Sequence, residues 1–332
     1  SPLKQQLVMQ VREGHVPHAQ MFLGQLGYGG LPIALAYAQF LNCANPLPDD
    51  SCGECPSCTK MSKLAHPDLH FSFPFPSVDK RKLSTESITE WREVLNESPY
   101  LSLHRWMVKF NAENKQPNIP ITECHDVMRR LSFKAYEQGY KIMLIWLPEY
   151  LGKEGNTLLK IIEEPPAQTV FLLVAENLET VLNTIISRTQ IIKVPPIDQQ
   201  ELAEALAAKQ NLQPDEAFRL AGLANGDYIE ALDLVNHAAA EHAGLFEEWM
   251  SALLARNADP MAYVKWADVF GALGRESQKS FVMYALHILR EVLYLQVYGR
   301  PSEVLTGTEK SVVSEMASKF DQERMSCFAE WL

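Results

Sequence analysis

Four cysteines carry the clearest chemistry in the sequence. Cys43, Cys52, Cys55 and Cys58 follow the spacing C-x8-C-x2-C-x2-C. Four thiolates at that spacing can close a tetrahedral shell around zinc, with Zn–S bonds of about 2.3 Å. Gly53 permits the tight turn that folds the chain back on the metal. Four sulfurs leave no position for water, so the expected zinc is structural. An iron–sulfur cluster is the rival, because C-x2-C-x2-C also occurs in ferredoxins; there the fourth cysteine lies downstream before a proline, and here it lies upstream. Cys124 and Cys327 have no partner in the sequence and read as buried thiols. None of the nine histidines forms a metal or catalytic pattern. His15, His18 and His66 read as structural, and Pro67 interrupts the helix that would bring His66 beside His70.

A second pattern could bind phosphate. The template is G-x-x-x-x-G-K-[ST], and it falls on Gly24-Gln25-Leu26-Gly27-Tyr28-Gly29-Gly30-Leu31. The framing glycines Gly24 and Gly29 are there. Gly30 stands in place of the lysine that reaches the β and γ phosphates, and Leu31 in place of the hydroxyl that holds magnesium. The carboxylate pair expected at the end of a neighbouring strand is replaced by Trp146 and Leu147, and the nearest acid is Glu149, after Pro148. A plain strand-to-helix turn would also explain the glycines. The two defects agree with each other, however, and read together as a nucleotide-hydrolase frame kept without hydrolysis.

The elements that would position these residues can be read from periodicity. Leu3, Leu7, Val8 and Val11 form a helical stripe; Ala19 to Leu23 is a strand and Leu31 to Leu41 a helix. Residues 70–120 resist assignment. Phe73-Pro74-Phe75-Pro76 is extended by its prolines, Ser84 to Asn96 is a capped helix, and the region reads as peripheral. Ile121 to Tyr136 is an amphipathic helix. Lys141 to Leu147 and Thr169 to Ala175 are apolar runs of the kind buried on both faces of a parallel sheet. Between them Asn156 to Glu163 reads as a helix stopped by Pro165-Pro166, and Gln190 to Val194 closes the series as a strand. Alternation of strand and helix implies an α/β domain with a parallel sheet. After Pro195-Pro196 the pattern is helical. Asp198 to Lys209, Pro214 to Ala224 and Asp227 to His237 make a small bundle, followed by longer helices from Gly244. The run from Phe281 to Val297 is apolar nearly all round and must be covered on most sides, with Trp266, Phe270, Phe328 and Trp331 as candidates for the same packing. The expected division is therefore 1–195, with a zinc module at 43–66 and an insertion at 70–118, then 196–243, then 244–332.

Composition limits the function. With 332 residues, 47% of them hydrophobic, the chain can build real cores, and no stretch reads as a membrane span. Lys and Arg number 30 against 41 Asp and Glu, a net charge of −11, whereas a protein that grips DNA by itself carries a basic excess. Any phosphate contacts to nucleic acid would come from partners. The N-terminal residues lack the apolar core of a signal peptide, although the first residue is Ser1 and not Met, as in a trimmed start; the expected location is the cytoplasm.

Specific motifs add a resemblance. Asn156-Thr157-Leu158-Leu159-Lys160-Ile161-Ile162-Glu163-Glu164-Pro165-Pro166, then Phe171-Leu172-Leu173-Val174, then Ser187-Arg188-Thr189, with the opening Val16-Pro17-His18-Ala19-Gln20, resemble the bacterial sliding-clamp loader family of AAA+ proteins. The likeness covers 3–70 and 120–240 and is weak in 70–120 and at the C-terminus. It implies an AAA+ α/β domain, a helical lid and a helical collar that joins subunits. It implies a ring of five, with ATPase subunits of the gamma/tau type and a delta subunit, that opens the sliding clamp and places it on primed DNA. The same cysteine spacing occurs in that family, which favours zinc. The family's Ser-Arg-Cys motif reads Ser187-Arg188-Thr189 here, which implies that Arg188 is an arginine finger reaching a neighbour's ATP. The family's first sensor, a polar residue, falls near Ala175-Glu176, and its second, an arginine, falls at Ile229 or Glu230, neither of them an arginine, so the resemblance implies no ATP on this chain. Glu163 and Glu164 sit against the dipole at a helix C-terminus and suggest subunit contacts. The rival readings are an active ATPase subunit of the gamma/tau type, against Gly30 and Trp146-Leu147, and a zinc module that contacts DNA or protein directly, against the net charge.

Overall fold

The computed structural model describes residues 2–76, 83–112, 115–210, 212–236, 239–254, 260–273, 275–300, 305 and 307–320. Cys327, Phe328 and Trp331 lie outside the described residues. The chain divides into two compact units, Ser1–Pro196 and Ile197–Leu332. No described helix is long and apolar enough to cross a membrane.

The N-terminal unit opens with helix α1 (Pro2–Arg12), strand β1 (Ala19–Leu23), helix α2 (Gly30–Leu41), the short helix α3 (Pro56–Ser62) and strand β2 (Leu69–Ser72). Strand β3 (Phe75–Pro76), helices α4 (Ile88–Glu97) and α5 (Leu103–Val108) and strand β4 (Pro117–Asn118) follow. Helix α6 (Ile121–Ser132), strand β5 (Lys141–Trp146), helix α7 (Leu159–Glu163), strand β6 (Thr169–Ala175), helix α8 (Asn183–Ile186) and strand β7 (Gln190–Lys193) complete it. Five strands form one sheet in the order β2-β5-β6-β1-β7, every neighbouring pair parallel. The helix expected over Asn156–Glu163 starts as the end of a 3-10 segment, Pro148–Leu158, that is kinked at Gly152, and its last five residues form α7.

The continuous apolar runs of β5 and β6 are explained by two cores. Side chains alternate faces along a strand. Ile142, Leu144, Trp146, Leu172 and Val174 enter one core with Leu31, Ala34 and Ala38 of α2. Met143, Ile145, Phe171 and Leu173 enter the other with Val127 and Leu131 of α6 and Ile185 of α8. Each such side chain contributes roughly 1.5–3 kcal/mol by leaving water.

The region 70–118 is not peripheral. Strand β2 is an edge of the main sheet, with His70 opposite Met143. Phe71, Phe73, Phe75, Trp91 and Trp106 are all buried. Trp91 stacks on Phe73 with ring centres 4.2 Å apart, meets Trp106 edge-on at 5.2 Å and lies 5.3 Å from Trp146 of β5. Trp106 Nε1 donates to the Pro74 carbonyl at 2.8 Å. β3 and β4 pair antiparallel, Phe75 opposite Asn118, so the insertion leaves and rejoins the domain at one point.

Its entry is fixed by a buried carboxylate. Glu123 on α6 is fully buried and accepts hydrogen bonds from the Ser84 backbone N–H at 2.8 Å, the Ser84 hydroxyl at 2.6 Å and Arg130 at 2.7 Å. Arg130 also donates to the Phe71 carbonyl at 2.9 Å.

In the C-terminal unit, helices α9 (Gln199–Gln210), α10 (Pro214–Leu223) and α11 (Tyr228–Asn236) precede α12 (Ala239–Leu254), α13 (Pro260–Ala272), α14 (Arg275–Tyr298) and α15 (Gly307–Lys319). The apolar α14 is covered as its pattern requires: Phe281, Tyr284, Ile288 and Val292 pack with Phe246, Met250, Val313 and Met316. Trp249, Trp266 and Phe270 stack at 4.9 and 5.2 Å. The first three helices share this unit with the rest; Arg219 of α10 approaches Glu309 of α15 at 3.7 Å, and Glu309 accepts from Tyr284 at 3.0 Å.

Removing one member of a buried ion pair strands the other, at about 3–5 kcal/mol. Arg130 keeps Asp126 at 2.8 Å, so Glu123→Ala is expected to lower the unfolding free energy of the N-terminal unit by less, about 1–3 kcal/mol, chiefly by leaving the buried Ser84 donors without their acceptor, with Glu123→Gln closer to wild type. Urea unfolding followed by tryptophan fluorescence, to which Trp91, Trp106 and Trp146 of this unit contribute, measures it; an unchanged midpoint for the alanine variant would refute the anchoring role.

Candidate functional site

The cysteine cluster is assembled. The sulfurs of Cys43, Cys52, Cys55 and Cys58 all lie within 4.8 Å of one another. Cys43 and Cys52 are 3.6 Å apart and Cys52 and Cys58 3.9 Å. A tetrahedron with metal–sulfur bonds of about 2.3 Å has edges of about 3.8 Å, so the set fits a closed four-sulfur shell. Backbone N–H groups donate to the sulfurs: Cys52 to Cys43 at 3.2 Å, Cys55 to Cys52 at 3.3 Å and Cys58 to Cys55 at 3.4 Å. Such donors favour thiolate, and the N–H of Cys58 pulls the Cys55 thiol down to about 6, while burial pushes Cys58 up to about 12. The turn runs through Gly53 at φ +74° and into α3, where Cys55 is the N-cap and Pro56 the first residue. Beside the cluster, Lys60 pairs with Glu137, and Nε2 of buried His66 lies 3.2 Å from the same carboxylate. Asp68 accepts from the N–H groups of Tyr136 and Glu137 at 2.7 and 2.8 Å, which ties this module to the loop before β5. Cys124 is a free, fully buried thiol, pushed up to about 12 by burial.

The glycine loop joins β1 to α2. A Cβ on Gly24 would stand 2.8 Å from the Val194 carbonyl oxygen, so only glycine lets β1 pass the end of β7. Gly29 has φ +91° and caps α2. Leu31 is buried in the core and offers no hydroxyl to solvent. Pro32, in the first turn of α2, has no N–H, which removes one of the backbone donors an anion would use. A Cβ at Gly29 would be 3.5 Å from Cε1 and 3.6 Å from the hydroxyl of Tyr100, so the insertion lays a tyrosine ring against the loop.

At the end of β5, where carboxylates would face a nucleotide, Trp146 points into the aromatic core against Trp91. Leu147 is buried with φ +55°. Glu149 is committed elsewhere: one oxygen accepts from the N–H groups of Glu176 and Asn177 at 2.6 and 3.0 Å, just past β6, and burial makes it a weaker acid than an ordinary carboxylate, its pKa held above the usual range. In the C-terminal unit Asp227 accepts from the N–H groups of Ile229 and Glu230 at 2.8 and 2.9 Å, an N-cap of α11, and Glu230 is buried.

Arg188 lies just before β7. Its Nε donates to Glu163 at 2.7 Å, and one terminal nitrogen donates to the Thr184 carbonyl at 2.9 Å and the Ser187 hydroxyl at 3.3 Å. Glu163 thus meets Arg188 of its own chain. Topology separates Arg188 from the glycine loop. β1 and β7 are parallel, with Leu23 opposite Lys193. Arg188 precedes β7, and Gly24 follows β1, so the two sit at opposite ends of the sheet. The four residues of β7 alone span about 13 Å. Sequence reasoning located the cysteines, the loop and Arg188; it missed Tyr100 and the Glu163 contact, which carry no local pattern.

A parallel sheet with helices on both faces, opening on a strand–glycine loop–helix unit and followed by a helical unit, defines a parallel-sheet α/β protein. The sequence profile described as "DNA polymerase III, delta subunit" matches residues 1–118 and 108–198, and the chain belongs to that family. It is 27% identical over 231 residues to DNA polymerase III subunit gamma of Buchnera aphidicola, covering 68% of this chain and 53% of that protein. It is 25% identical over 267 residues to DNA polymerase III subunit delta' of Escherichia coli, covering 76% and 68%. The chain spans about half the length of the gamma and gamma/tau relatives it matches. Among solved structures, a gamma subunit-related protein of Thermotoga maritima aligns over 98% of this chain and 97% of that chain at 13% identity, with a TM-score of 0.35, too low to bear on the argument.

The four-sulfur shell predicts about one tetrahedral metal ion per purified chain. Atomic emission measures it. Cys58→Ser is expected to lower the metal content to well under half and to lower the melting temperature; a metal-free wild-type chain with the same melting temperature as Cys58→Ser would contradict it.

Proposed function

We propose that this chain is a delta-prime-type subunit of the bacterial DNA polymerase III clamp loader that hydrolyses no ATP itself and lends Arg188 to ATP on a neighbouring subunit. The observation that carries the reading is the separation of Arg188 from its own glycine loop, at opposite ends of one parallel sheet. A guanidinium there can serve only a nucleotide held by another chain. The loop of this chain has no lysine at position 30, no hydroxyl at 31 and no N–H at 32. Trp146, turned into the core, supplies no ligand for magnesium, and Tyr100 lies against Gly29. An arginine finger stabilises charge on the transferring phosphoryl group and is worth about 10³–10⁵ in rate.

In this reading the partners are gamma/tau-type ATPase subunits and a delta subunit in a five-membered ring. The ring loads the sliding clamp onto primed DNA in the cytoplasm. Contacts to DNA phosphates come mainly from those partners, in keeping with the net charge of −11. The metal is zinc and structural: all four ligands are thiolates, and no open position remains for chemistry. The second reading, an active gamma/tau-type ATPase, has the 27% identity to a gamma subunit in its favour and Gly30, Leu31 and Trp146 against it.

Titration of the isolated chain with a fluorescent ATP analogue and magnesium is expected to give no binding up to millimolar nucleotide. Micromolar binding would overturn the reading. In a ring reconstituted with its ATPase partners, Arg188→Ala is expected to slow turnover at the adjoining ATP site by about 10³-fold without loss of assembly. Turnover at the wild-type rate would exclude the finger.

A further inference from the structure

Arg188 is held before any neighbour arrives. Three acceptors fix its guanidinium: Glu163 on Nε at 2.7 Å, and the Thr184 carbonyl and Ser187 hydroxyl on one terminal nitrogen at 2.9 and 3.3 Å. The other terminal nitrogen has no hydrogen-bond partner among the described residues. From these contacts we infer that Glu163 is a positioning residue: it grips the inner edge of the Arg188 guanidinium so that the free corner faces an anion on a neighbouring subunit. This rests on the finger reading of Arg188.

The position of Glu163 argues for it. Glu163 is the last residue of α7, where the helix dipole disfavours an acid. Pro165 and Pro166 end the helix just beyond, so the carboxylate is held at this turn. It faces Arg188 across 25 residues of chain, joining the end of α7 to the end of α8. Both ends lie before their following strands, β6 and β7, at the edge of the sheet that carries Arg188. The pair is partly exposed, with Glu163 at 57% and Arg188 at 31%, so its contribution to folding is small. Its effect is on geometry. A free arginine carries about 2 kcal/mol of rotamer entropy, and a carboxylate on Nε removes part of that before the phosphate is met. Misplacing a catalytic group by about 1 Å can lower a rate by as much as 100-fold, so loss of one of three anchors is expected to cost about tenfold.

The test uses the full chain in a ring reconstituted with its ATPase partners, clamp and primed DNA. Glu163→Ala, Glu163→Gln, Arg188→Ala and the double variant are compared by single-site ATP turnover, with assembly and melting temperature followed in parallel. The expected result is a kcat about tenfold lower for Glu163→Ala, with KM for ATP, assembly and melting temperature unchanged. Glu163→Gln, which keeps an oxygen for Nε, is expected to recover most of the rate. On the Arg188→Ala background Glu163→Ala is expected to add nothing. If Arg188→Ala is slow and Glu163→Ala turns over at the wild-type rate or faster, the positioning role is overturned and the finger stands. If Glu163→Ala slows the Arg188→Ala ring further, Glu163 acts through structure and the inference fails. If Arg188→Ala is itself without effect, the finger reading falls and this one with it.

Discussion

Parallel pairing of β1 with β6 and β7 is the constraint on which the rest of the N-terminal unit depends. Leu23 lies opposite Ala175 on one side and Lys193 on the other, so three strands end together. Gly24 leaves that end close against the Val194 carbonyl and donates its own N–H to the Ala175 carbonyl at 3.1 Å. The glycine loop, the end of β5 and the Glu149 carboxylate are gathered at this edge. Residues that precede the strands, Glu163 and Arg188 among them, are gathered at the other. Direction in a parallel sheet thus separates the residues that follow the strands from those that precede them.

The end of β5 is packed with apolar side chains. Trp146 joins Phe73, Trp91 and Trp106 in one cluster of rings, and Leu31 and Leu147 are buried in the same core. A carboxylate at position 146 would lie in an apolar core, where an unpaired charge is severely disfavoured. The insertion and the end of β5 share one packing solution: the insertion supplies Trp91 and Trp106, and the sheet supplies Trp146, on which Trp91 packs.

Two ion pairs illustrate how burial decides the role of a charge. Glu123 is fully buried and Arg130 nearly so; both bond Ser84, Arg130 also bonds the Phe71 carbonyl of β2, and together they hold the insertion to the sheet. Glu163 and Arg188 have comparable geometry at 2.7 Å but remain partly in water. The first pair matters to stability because Glu123 alone would be a buried charge without a counterion, whereas Arg130 also has Asp126 at 2.8 Å; the second matters to orientation, because water screens its energy but not its geometry.

Much of this was legible in the chain itself. Apolar runs of six or seven residues announced β5 and β6, because only a strand covered on both faces tolerates them. The cysteine spacing announced a four-sulfur site, because C-x2-C geometry is local. The glycines announced the loop between β1 and α2. The insertion was misread because prolines at 74 and 76 obscured the alternation of Phe71, Phe73 and Phe75, whose common burial depends on Trp91 and Trp106 more than fifteen residues away. Tyr100 against Gly29, Glu149 on the end of β6 and Glu163 on Arg188 could be decided only by tertiary structure. Each joins positions at least 25 residues apart through a contact that no periodicity encodes: local pattern determines which face of an element is apolar, whereas the register of the sheet determines which distant polar groups meet.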